Sequence, residues 1–256
     1  MKFENIIYEK KDCVARITIN RPQQYNVLDI ATMKEFNQAL EDVKKDQSIK
    51  LVIVASKGKI FSGGVDIKDH TPDKYEDMIN IFHRIFRNLI ALPQPTLAVI
   101  NGSALGGGSE LATFCDMAIA SETAKIGQPE IKVGVFPPIA AITFPRLIGS
   151  KKAIELLLTG DVIDAKEALR LGLVNHVVPE EKLEEEVNKL ANKLLNLSGV
   201  VIKMTKRAIF QGLNRDFEEV LQKVEHIYNR ELMKTKDAEE GLKAFLEKRP
   251  PVWQEK

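Results

Sequence analysis

Two glutamates lie twenty positions apart, each at the end of a segment marked by glycine. Glu110 closes a run that contains Gly106, Gly107 and Gly108, and Glu130 closes the segment Lys-Ile-Gly-Gln-Pro-Glu at 125–130. Two carboxyl groups that face one cavity can divide acid and base work, because one activates a water molecule while the other delivers a proton. The pattern therefore predicts a site for acid–base chemistry around Glu110 and Glu130.

The three glycines before Glu110 offer a second chemical function. A residue without a side chain lets a substrate approach backbone N–H groups closely where a helix begins. Such N–H groups can stabilise the negative charge that develops on a carbonyl oxygen during a reaction. A tight connection between a strand and a helix, without a chemical role, is the alternative explanation. No dinucleotide-binding register of glycines fits around this run.

Composition excludes several classes of protein. The 256 residues are 44% hydrophobic and 29% charged, which is typical of a globular domain with a sizeable core. A net charge of +1, with acids and bases interspersed, predicts neither a nucleic-acid partner nor binding to a membrane. Cys13 and Cys115 lie in apolar runs and are predicted to be buried free thiols. Four scattered histidines predict no metal site, and no secretory or membrane-spanning segment is evident, so we expect a cytoplasmic protein.

Strands and helices alternate through the first half of the chain. Strands are indicated by period-two alternation or short apolar runs, and helices by apolar stripes with a helical period. The predicted elements are strands over 14–20, 51–55, 96–100 and 117–120, and helices over 30–45, 75–92 and from the glycine run to about 114. This alternation predicts an α/β core with crossover connections.

The second half is predicted to be nearly all helix from about residue 150. Asp164 and Glu167 form the pattern of a capping box, and Asp237 and Glu240 repeat it before a last helix over 238–247. The stretch from about residue 200 onward shows no strand signal. We therefore divide the chain into a core over 1–199 and a C-terminal helical segment over 200–256.

Taken together, the motifs resemble the enoyl-CoA hydratase/isomerase, or crotonase, superfamily from end to end. The most specific are Phe-Ser-Gly-Gly-Val-Asp-Ile at 61–67 and the glycine run at 101–111. Each motif alone is weak, whereas all of them in family order and at family spacing are specific. The full set lies at residues 20–22, 26–28, 61–67, 101–111, 115–116, 127–131, 158–160, 165–174 and 240–249.

The resemblance implies a crotonase-like fold, which is a spiral of repeated β-β-α units followed by a C-terminal helical segment. The core over 1–199 would bind an acyl-CoA, and the segment over 200–256 would complete the active site and the oligomer. Members of the family are usually trimers or dimers of trimers, so a homotrimer or homohexamer is expected. No cofactor is implied beyond the CoA that the substrate itself carries.

The same resemblance implies particular site residues. Gly63 and Gly107 would donate their N–H groups to the thioester carbonyl, in an oxyanion hole. Asp66 could equally cap a following helix, and the terminal residues could belong to an amphipathic helix with no ligand. The residues expected to contact CoA or the acyl group are Gly64, Val65, Asp66, Phe136, Phe245 and Lys248.

Glu110 and Glu130 fall where hydratases of the family keep both catalytic carboxylates. This implies a carbon–oxygen lyase that adds water to a C=C bond conjugated with the thioester. Glu110 would activate the water and Glu130 would supply the proton. The alternatives are a general short-chain 2-enoyl-CoA hydratase, an enoyl-CoA isomerase, or an enzyme that cleaves the thioester or a carbon–carbon bond. A non-catalytic RNA-binding role is disfavoured by the near-zero net charge.

Three segments depart from simple enoyl-CoA hydratases. They look like the cyclohexa-1,5-diene-1-carbonyl-CoA hydratases of anaerobic benzoyl-CoA degradation. A bulkier wall over 136–144, from Phe136 to Phe144, would suit a rigid ring better than a flexible chain. His70 is a candidate contact for that ring, and a surface loop histidine is the alternative. The departing segments are 66–73, 131–146 and 231–249.

Overall fold

Two β-sheets organise the computed structural model, which describes residues 2–213 and 217–252. The strands, numbered β1 to β10 in chain order, are Ile6–Lys11, Val14–Ile19, Leu51–Ser56, Ile60–Ser62, Thr96–Ile100, Ser103–Leu105, Met117–Ser121, Lys125–Gly127, Val162–Asp164 and His176–Val178. The larger sheet has the order β1-β2-β3-β5-β7-β10, and the smaller sheet has the order β4-β6-β8-β9. Within the larger sheet only β1 pairs with its neighbour in antiparallel fashion.

Helices cover both sheets. Numbered α1 to α10, they are Ile30–Lys45, Tyr75–Ala91, Gly107–Phe114, Pro138–Ile148, Ser150–Thr159, Ala165–Leu171, Leu183–Leu195, Gly199–Leu213, Phe217–His226 and Lys236–Leu246. Short 3-10 turns occupy Pro22–Gln24, Ile67–Asp69, Pro129–Val133, Glu180–Lys182 and Leu232–Lys234, and a π-helical turn occupies Ile227–Glu231. Within the described ranges, none of these helices is both long and apolar enough to cross a membrane.

A β-β-α unit repeats along the chain. Its first strand joins the larger sheet, its second joins the smaller sheet, and a helix follows. The units are β3-β4-α2, β5-β6-α3 and β7-β8-α4. Because β3, β5 and β7 are parallel neighbours, and β4, β6 and β8 are too, each unit stacks beside the previous one. This repetition confirms the predicted α/β spiral.

The two faces of the larger sheet bury different side chains. Val52 and Val54 of β3 join the main core with residues of α1 and α2, including Phe36. Leu51 and Ile53, which point the other way, join a second cluster with residues of α7. Side chains alternate between the faces of a strand, so a strand covered on both faces must be apolar throughout. The continuous apolar run of β3 therefore has a direct structural cause.

The structure confirms the helices at 30–45 and 75–92 and the predicted strands, within one or two residues. It adds β9 and β10 to the half that was predicted to be nearly all helix. Both are only three residues long, so their sequences show no period that could be read. The prediction that Cys13 is buried is also wrong, because Cys13 is exposed in the turn between β1 and β2, whereas Cys115 is buried.

One of the two predicted helix caps is correct. Oδ1 of Asp164 accepts a hydrogen bond from the N–H of Glu167 at 2.8 Å, although the Glu167 carboxylate binds Arg170 rather than reaching back. The last helix begins two residues earlier than predicted. Its cap is Thr235, whose hydroxyl accepts a hydrogen bond from the N–H of Ala238 at 3.0 Å.

Ion pairs fasten the C-terminal segment to the core. Glu225 of α9 accepts hydrogen bonds from Arg87 at 2.7 Å and pairs with the buried His83 at 2.8 Å, both on α2. Lys206 of α8 lies 2.7 Å from Asp116, whose carboxylate also accepts a hydrogen bond from the N–H of Thr96. Asp116 is thus a structural residue that joins β5, β7 and α8.

Candidate active site

The two predicted glutamates lie at one edge of the smaller sheet. Its strands β6 and β8 are parallel, with Leu105 paired to Gly127, so the segments that leave their carboxyl ends are neighbours. Glu110 stands in the first turn of α3, after β6, and Glu130 stands in the 3-10 turn after β8. The N–H of Gly106 donates a hydrogen bond to the oxygen of Gly127 at 2.9 Å, which ties the two turns together.

Gly106 brings the Glu130 carboxyl against the turn that starts α3. Its φ of +52° and ψ of −131° form a conformation that is easy only for glycine. A Cβ atom at this position would lie 2.6 Å from Oε1 of Glu130 and 3.3 Å from its Cδ. There is consequently no room for a larger residue between the turn and the carboxyl group.

The Glu110 carboxyl is held at the beginning of another helix. Its Oε1 accepts a hydrogen bond from the N–H of Ala140, in the first turn of α4, at 2.8 Å. N–H groups in a first turn lack partners within their helix and attract negative charge. Glu110 is only 2% exposed. Glu130 is partly exposed, yet its Oε2 is buried and has no hydrogen-bond partner among the described residues.

Burial makes both carboxyl groups weak acids. It raises the pKa of Glu110 to about 7, although hydrogen bonds from the backbone N–H groups of Ala140 and Ile139 act in the opposite direction. Burial also raises the pKa of Glu130 well above its usual value, and the negative charge of Glu110 raises it further. As the pH rises, Glu110 ionises first and Glu130 keeps its proton.

Both glutamates line one cavity of about 620 Å³. This volume is in the range of small-molecule sites, and most of its wall is apolar. The wall includes the two motifs that carried the resemblance, at 61–67 and 101–111. Its residues are Val27, Gly63, Gly64, Val65, Asp66, Ile67, His70, Met78, Ile79, Phe82, Leu105, Gly106, Gly107, Glu110, Pro129, Glu130, Lys132, Val133, Val135, Phe136, Pro137, Pro138, Tyr228 and Phe245.

The predicted N–H donor at Gly63 is contradicted by the structure. The N–H of Gly63 donates a hydrogen bond to the oxygen of Tyr25 at 2.9 Å, so it is already engaged. Two residues later the backbone is different. Val65 forms a parallel β-bridge with Leu28. The N–H of Leu28 donates to the oxygen of Gly64, and the N–H of Asp66 donates to the oxygen of Leu28. The N–H of Val65 therefore points away from Leu28.

Val65 and Gly107 each carry a free N–H group in this wall. Neither N–H has a hydrogen-bond acceptor in the described part of the chain, and Gly107 is the first residue of α3. The two segments touch, because a Cβ atom on Gly107 would lie 2.7 Å from Cγ2 of Val65 and one on Gly64 would lie 3.5 Å from the nitrogen of Gly107. This arrangement places two unbonded N–H groups on adjoining segments of the cavity wall.

The chain is similar to known proteins over nearly its whole length. The sequence model of the enoyl-CoA hydratase/isomerase family matches residues 9–256. The chain belongs to this family. Crotonyl-CoA hydratase of Syntrophomonas wolfei is 38% identical over 254 residues, which cover 97% of each protein. Short-chain-enoyl-CoA hydratase of Clostridium acetobutylicum is 36% identical over 254 residues and again covers 97% of each.

Solved structures of the family share the fold of this chain. An enoyl-CoA hydratase from Mycobacterium avium subsp. paratuberculosis superposes with a TM-score of 0.90 at 31% identity, over 99% of this chain and 100% of that one. A carnitinyl-CoA hydratase from Mycobacterium avium gives a TM-score of 0.89 at 31% identity, over 100% of both chains. The crotonase fold is thereby shown for the whole chain.

Most of the residues expected to contact CoA or the acyl group line the cavity of this chain. Gly64, Val65, Asp66, Phe136 and Phe245 do so. Asp66 also caps the 3-10 turn Ile67–Asp69, where its side chain accepts a hydrogen bond from the N–H of Lys68 at 3.0 Å. Both roles that were open for Asp66 are therefore compatible with its position.

The cavity wall differs in part from the one that the sequence predicted. Lys248 is exposed just beyond α10, outside the cavity wall of this chain, so its expected contact with CoA stays a prediction. In the segment 136–144, Phe136 and the two prolines after it line the cavity, whereas Ile139 and Phe144 are buried in the core. The reason is that α4 begins at Pro138, and a helix turns its successive side chains toward different neighbours. His70 is buried in the wall rather than on a surface loop.

Sequence reasoning missed Tyr228 and Phe82 as lining residues. Phe82 lies on the buried face of α2, where its aromatic side chain looks like any other core residue. Tyr228 lies in the π-helical turn Ile227–Glu231, about a hundred residues beyond Glu130 along the chain. No motif in the sequence marks it, because its position depends on how the C-terminal segment docks on α2.

Ionisation of Glu110 is expected to destabilise the fold as the pH rises. An unfolded chain ionises a glutamate near a pKa of about 4.3, whereas Glu110 in the folded protein has a pKa of about 7. The stability that the protonated carboxyl contributes is complete below about pH 4.3. It is lost as the pH rises through the folded value, in total by about 4 kcal/mol.

Urea unfolding at about pH 5 and about pH 8 measures this loss. The free energy of unfolding of Glu110→Gln should fall less between the two conditions, by about 3 kcal/mol, because glutamine does not ionise. Equal losses in the variant and the wild type would show that burial does not raise the pKa of Glu110.

Proposed function

We propose that the protein is a hydro-lyase that adds water across the C=C bond of a 2-enoyl-CoA thioester. The observation that carries the proposal is one cavity holding two buried carboxyl groups, with raised pKa values, beside two free backbone N–H groups. Family membership supports it, because the relatives with the same fold and length are named hydratases.

The free N–H groups of Val65 and Gly107 would bind the thioester carbonyl oxygen. Hydrogen bonds to this oxygen withdraw electrons from the conjugated alkene and make its β-carbon electrophilic. They also stabilise the enolate that forms after attack, because negative charge then develops on the same oxygen. This proposal keeps Gly107 as a donor and replaces Gly63 with Val65.

The two pKa values support a division of roles between the carboxyl groups. Glu110 ionises first, so its carboxylate would accept a proton from water while the water oxygen bonds to the β-carbon. Glu130 keeps its proton to higher pH and would deliver it to the α-carbon of the enolate. One proton must then pass from Glu110 to Glu130, which restores the starting state.

A short straight-chain 2-enoyl-CoA is the first candidate substrate, since relatives of this chain are named crotonyl-CoA hydratase and short-chain-enoyl-CoA hydratase. A cyclic dienoyl-CoA such as cyclohexa-1,5-diene-1-carbonyl-CoA is the second. Three aromatic side chains of the cavity favour a flat ring, because they form a stiff wall. They are Phe82, Phe136 and Tyr228.

The two substrates can be compared directly by following the absorbance of the conjugated thioester. We expect kcat/KM for crotonyl-CoA to exceed that for the cyclic dienoyl-CoA by about tenfold or more, the discrimination that shape alone gives in an apolar pocket. In H₂¹⁸O the product should carry one labelled hydroxyl and an intact thioester. Release of free CoA, or a displaced double bond without label, would contradict the hydratase proposal.

We also propose the homotrimer or homohexamer expected from the family. Two helices, α5 and α8, expose apolar side chains that a second copy of the chain would cover. The exposed residues are Ile154, Leu158, Val200, Val201, Met204 and Ile209.

A further inference from the structure

Tyr228 is a buried tyrosine in the wall of the catalytic cavity. It is 1% exposed and ranks among the largest fully buried side chains of the described residues. Its ring meets the ring of Phe136 edge to face, with 5.4 Å between the centroids and 74° between the planes. Aromatic pairs prefer this arrangement, so the ring is fixed in position.

Contacts outside the cavity hold the turn that carries Tyr228. The π-helical turn Ile227–Glu231 inserts an extra residue into the helical path, a feature frequent at functional sites. Arg230 pairs with Glu76 of α2 at 3.0 Å, and Glu225, just before the turn, pairs with Arg87 at 2.7 Å. The position of Tyr228 is therefore set without any bond from its own hydroxyl.

That hydroxyl is in an unusual state. It makes no hydrogen bond with any residue that the structure describes, although the ring around it is buried. A hydroxyl in a cavity wall that has no partner in the protein can bond a ligand or a water molecule there. Burial, followed by the charges of Glu130 and Glu110, raises the pKa of Tyr228, so the hydroxyl stays protonated and can donate.

Its partner would therefore come from the cavity, which both glutamates also line. The thioester carbonyl is taken by the N–H groups of Val65 and Gly107. The substrate atom that approaches both carboxyl groups is the oxygen of the water that adds to the alkene. We propose that Tyr228 donates a hydrogen bond to this oxygen, first in water and then in the β-hydroxyl of the product. The inference rests on the proposed hydratase activity.

The lone pairs and protons of the added water are all accounted for when Tyr228 makes this contact. One lone pair of the water oxygen forms the bond to the β-carbon, and the other accepts the hydrogen bond from Tyr228. One proton of the water passes to Glu110, and the second remains on the product hydroxyl. Tyr228 keeps its proton throughout, so its contribution is to hold the attacking oxygen in place. In the reverse direction the same bond stabilises the departing oxygen.

Tyr228→Phe tests the proposal, and Tyr75→Phe is the matched control. The Tyr75 hydroxyl donates to the oxygen of Asn229, next to Tyr228 in the same turn, but Tyr75 does not line the cavity. For crotonyl-CoA, kcat of Tyr228→Phe should fall about tenfold, the value of one hydrogen bond to the reacting oxygen. The inhibition constant of butyryl-CoA, which has no oxygen at the β-carbon, should change by less than about twofold. Tyr75→Phe should keep both values.

The outcomes separate the two proposals. An unchanged kcat in Tyr228→Phe, with an active wild type, would overturn the inference alone. Weaker binding of butyryl-CoA in step with the lost rate would also overturn it, because Tyr228 would then serve only to shape the acyl wall. A wild type that binds butyryl-CoA but hydrates no enoyl-CoA would instead overturn the proposed function, and the inference with it.

Discussion

Glu110→Gln and Glu130→Gln are each expected to lower the turnover number for hydration by about 10²–10⁴-fold, the usual contribution of acid–base catalysis. Glutamine keeps the shape of each side chain. At position 110 its amide oxygen can still accept the hydrogen bond from the N–H of Ala140, which Glu110 accepts at 2.8 Å. What the substitution removes is the ability to take up or release a proton.

The rate is measured near neutral pH from the disappearance of the conjugated thioester. KM should change much less than kcat, because neither carboxyl group binds the CoA. Glu122→Gln is the control, since Glu122 is an exposed glutamate in the turn between β7 and β8, outside the cavity. It should stay within about twofold of the wild type. Rates near normal in both catalytic variants would remove the mechanism.

Gly106→Ala is expected to lower turnover by about 10²-fold, the loss that a displacement of about 1 Å can cause. The added Cβ would lie 2.6 Å from Oε1 of Glu130, too close for contact, so the carboxyl must move. The backbone of Gly106, with its φ of +52°, is strained for alanine as well. A loss of activity alone would therefore not separate displacement of Glu130 from strain.

Gly149→Ala separates the two effects. Gly149 also has a positive φ, of +78°, but nothing lies within 4 Å of the Cβ that alanine would add. Both variants should lose about 1–3 kcal/mol in the free energy of unfolding, because both backbones are strained. Only Gly106→Ala should lose turnover. Equal losses of turnover in the two variants would show that the contact with Glu130 is unimportant.

The fold could be predicted from the sequence where the pattern is local and long. The stripe over 30–45 spans several helical turns, so its period is readable, and the run over 96–100 is long enough to indicate a strand buried on both faces. The strands β9 and β10 have three residues each and form only because a neighbouring strand offers them hydrogen bonds. Such pairing is absent from the local sequence.

The residues of the candidate site likewise differ in whether the local sequence can predict them. Glu110 and Glu130 could be found because glycines mark their turns. The sequence could not show that the N–H of Gly63 is engaged and that of Val65 is free, because this depends on the bridge between Leu28 and Val65. That bridge joins segments far apart in the sequence. Tyr228 could not be found for a related reason, since ion pairs between α2 and the C-terminal segment determine where it lies.

The hydrogen bond from the N–H of Ala140 to Glu110 connects the shape of the cavity with the pKa of Glu110. The segment over 136–144 lines the cavity through Phe136, and it also supplies the N–H that acts to lower the pKa of Glu110. A change of sequence that reshapes this wall will also shift the beginning of α4 and alter the strength of the base. A redesign of the cavity for a new acyl group is therefore expected to change the optimum pH of the enzyme as well.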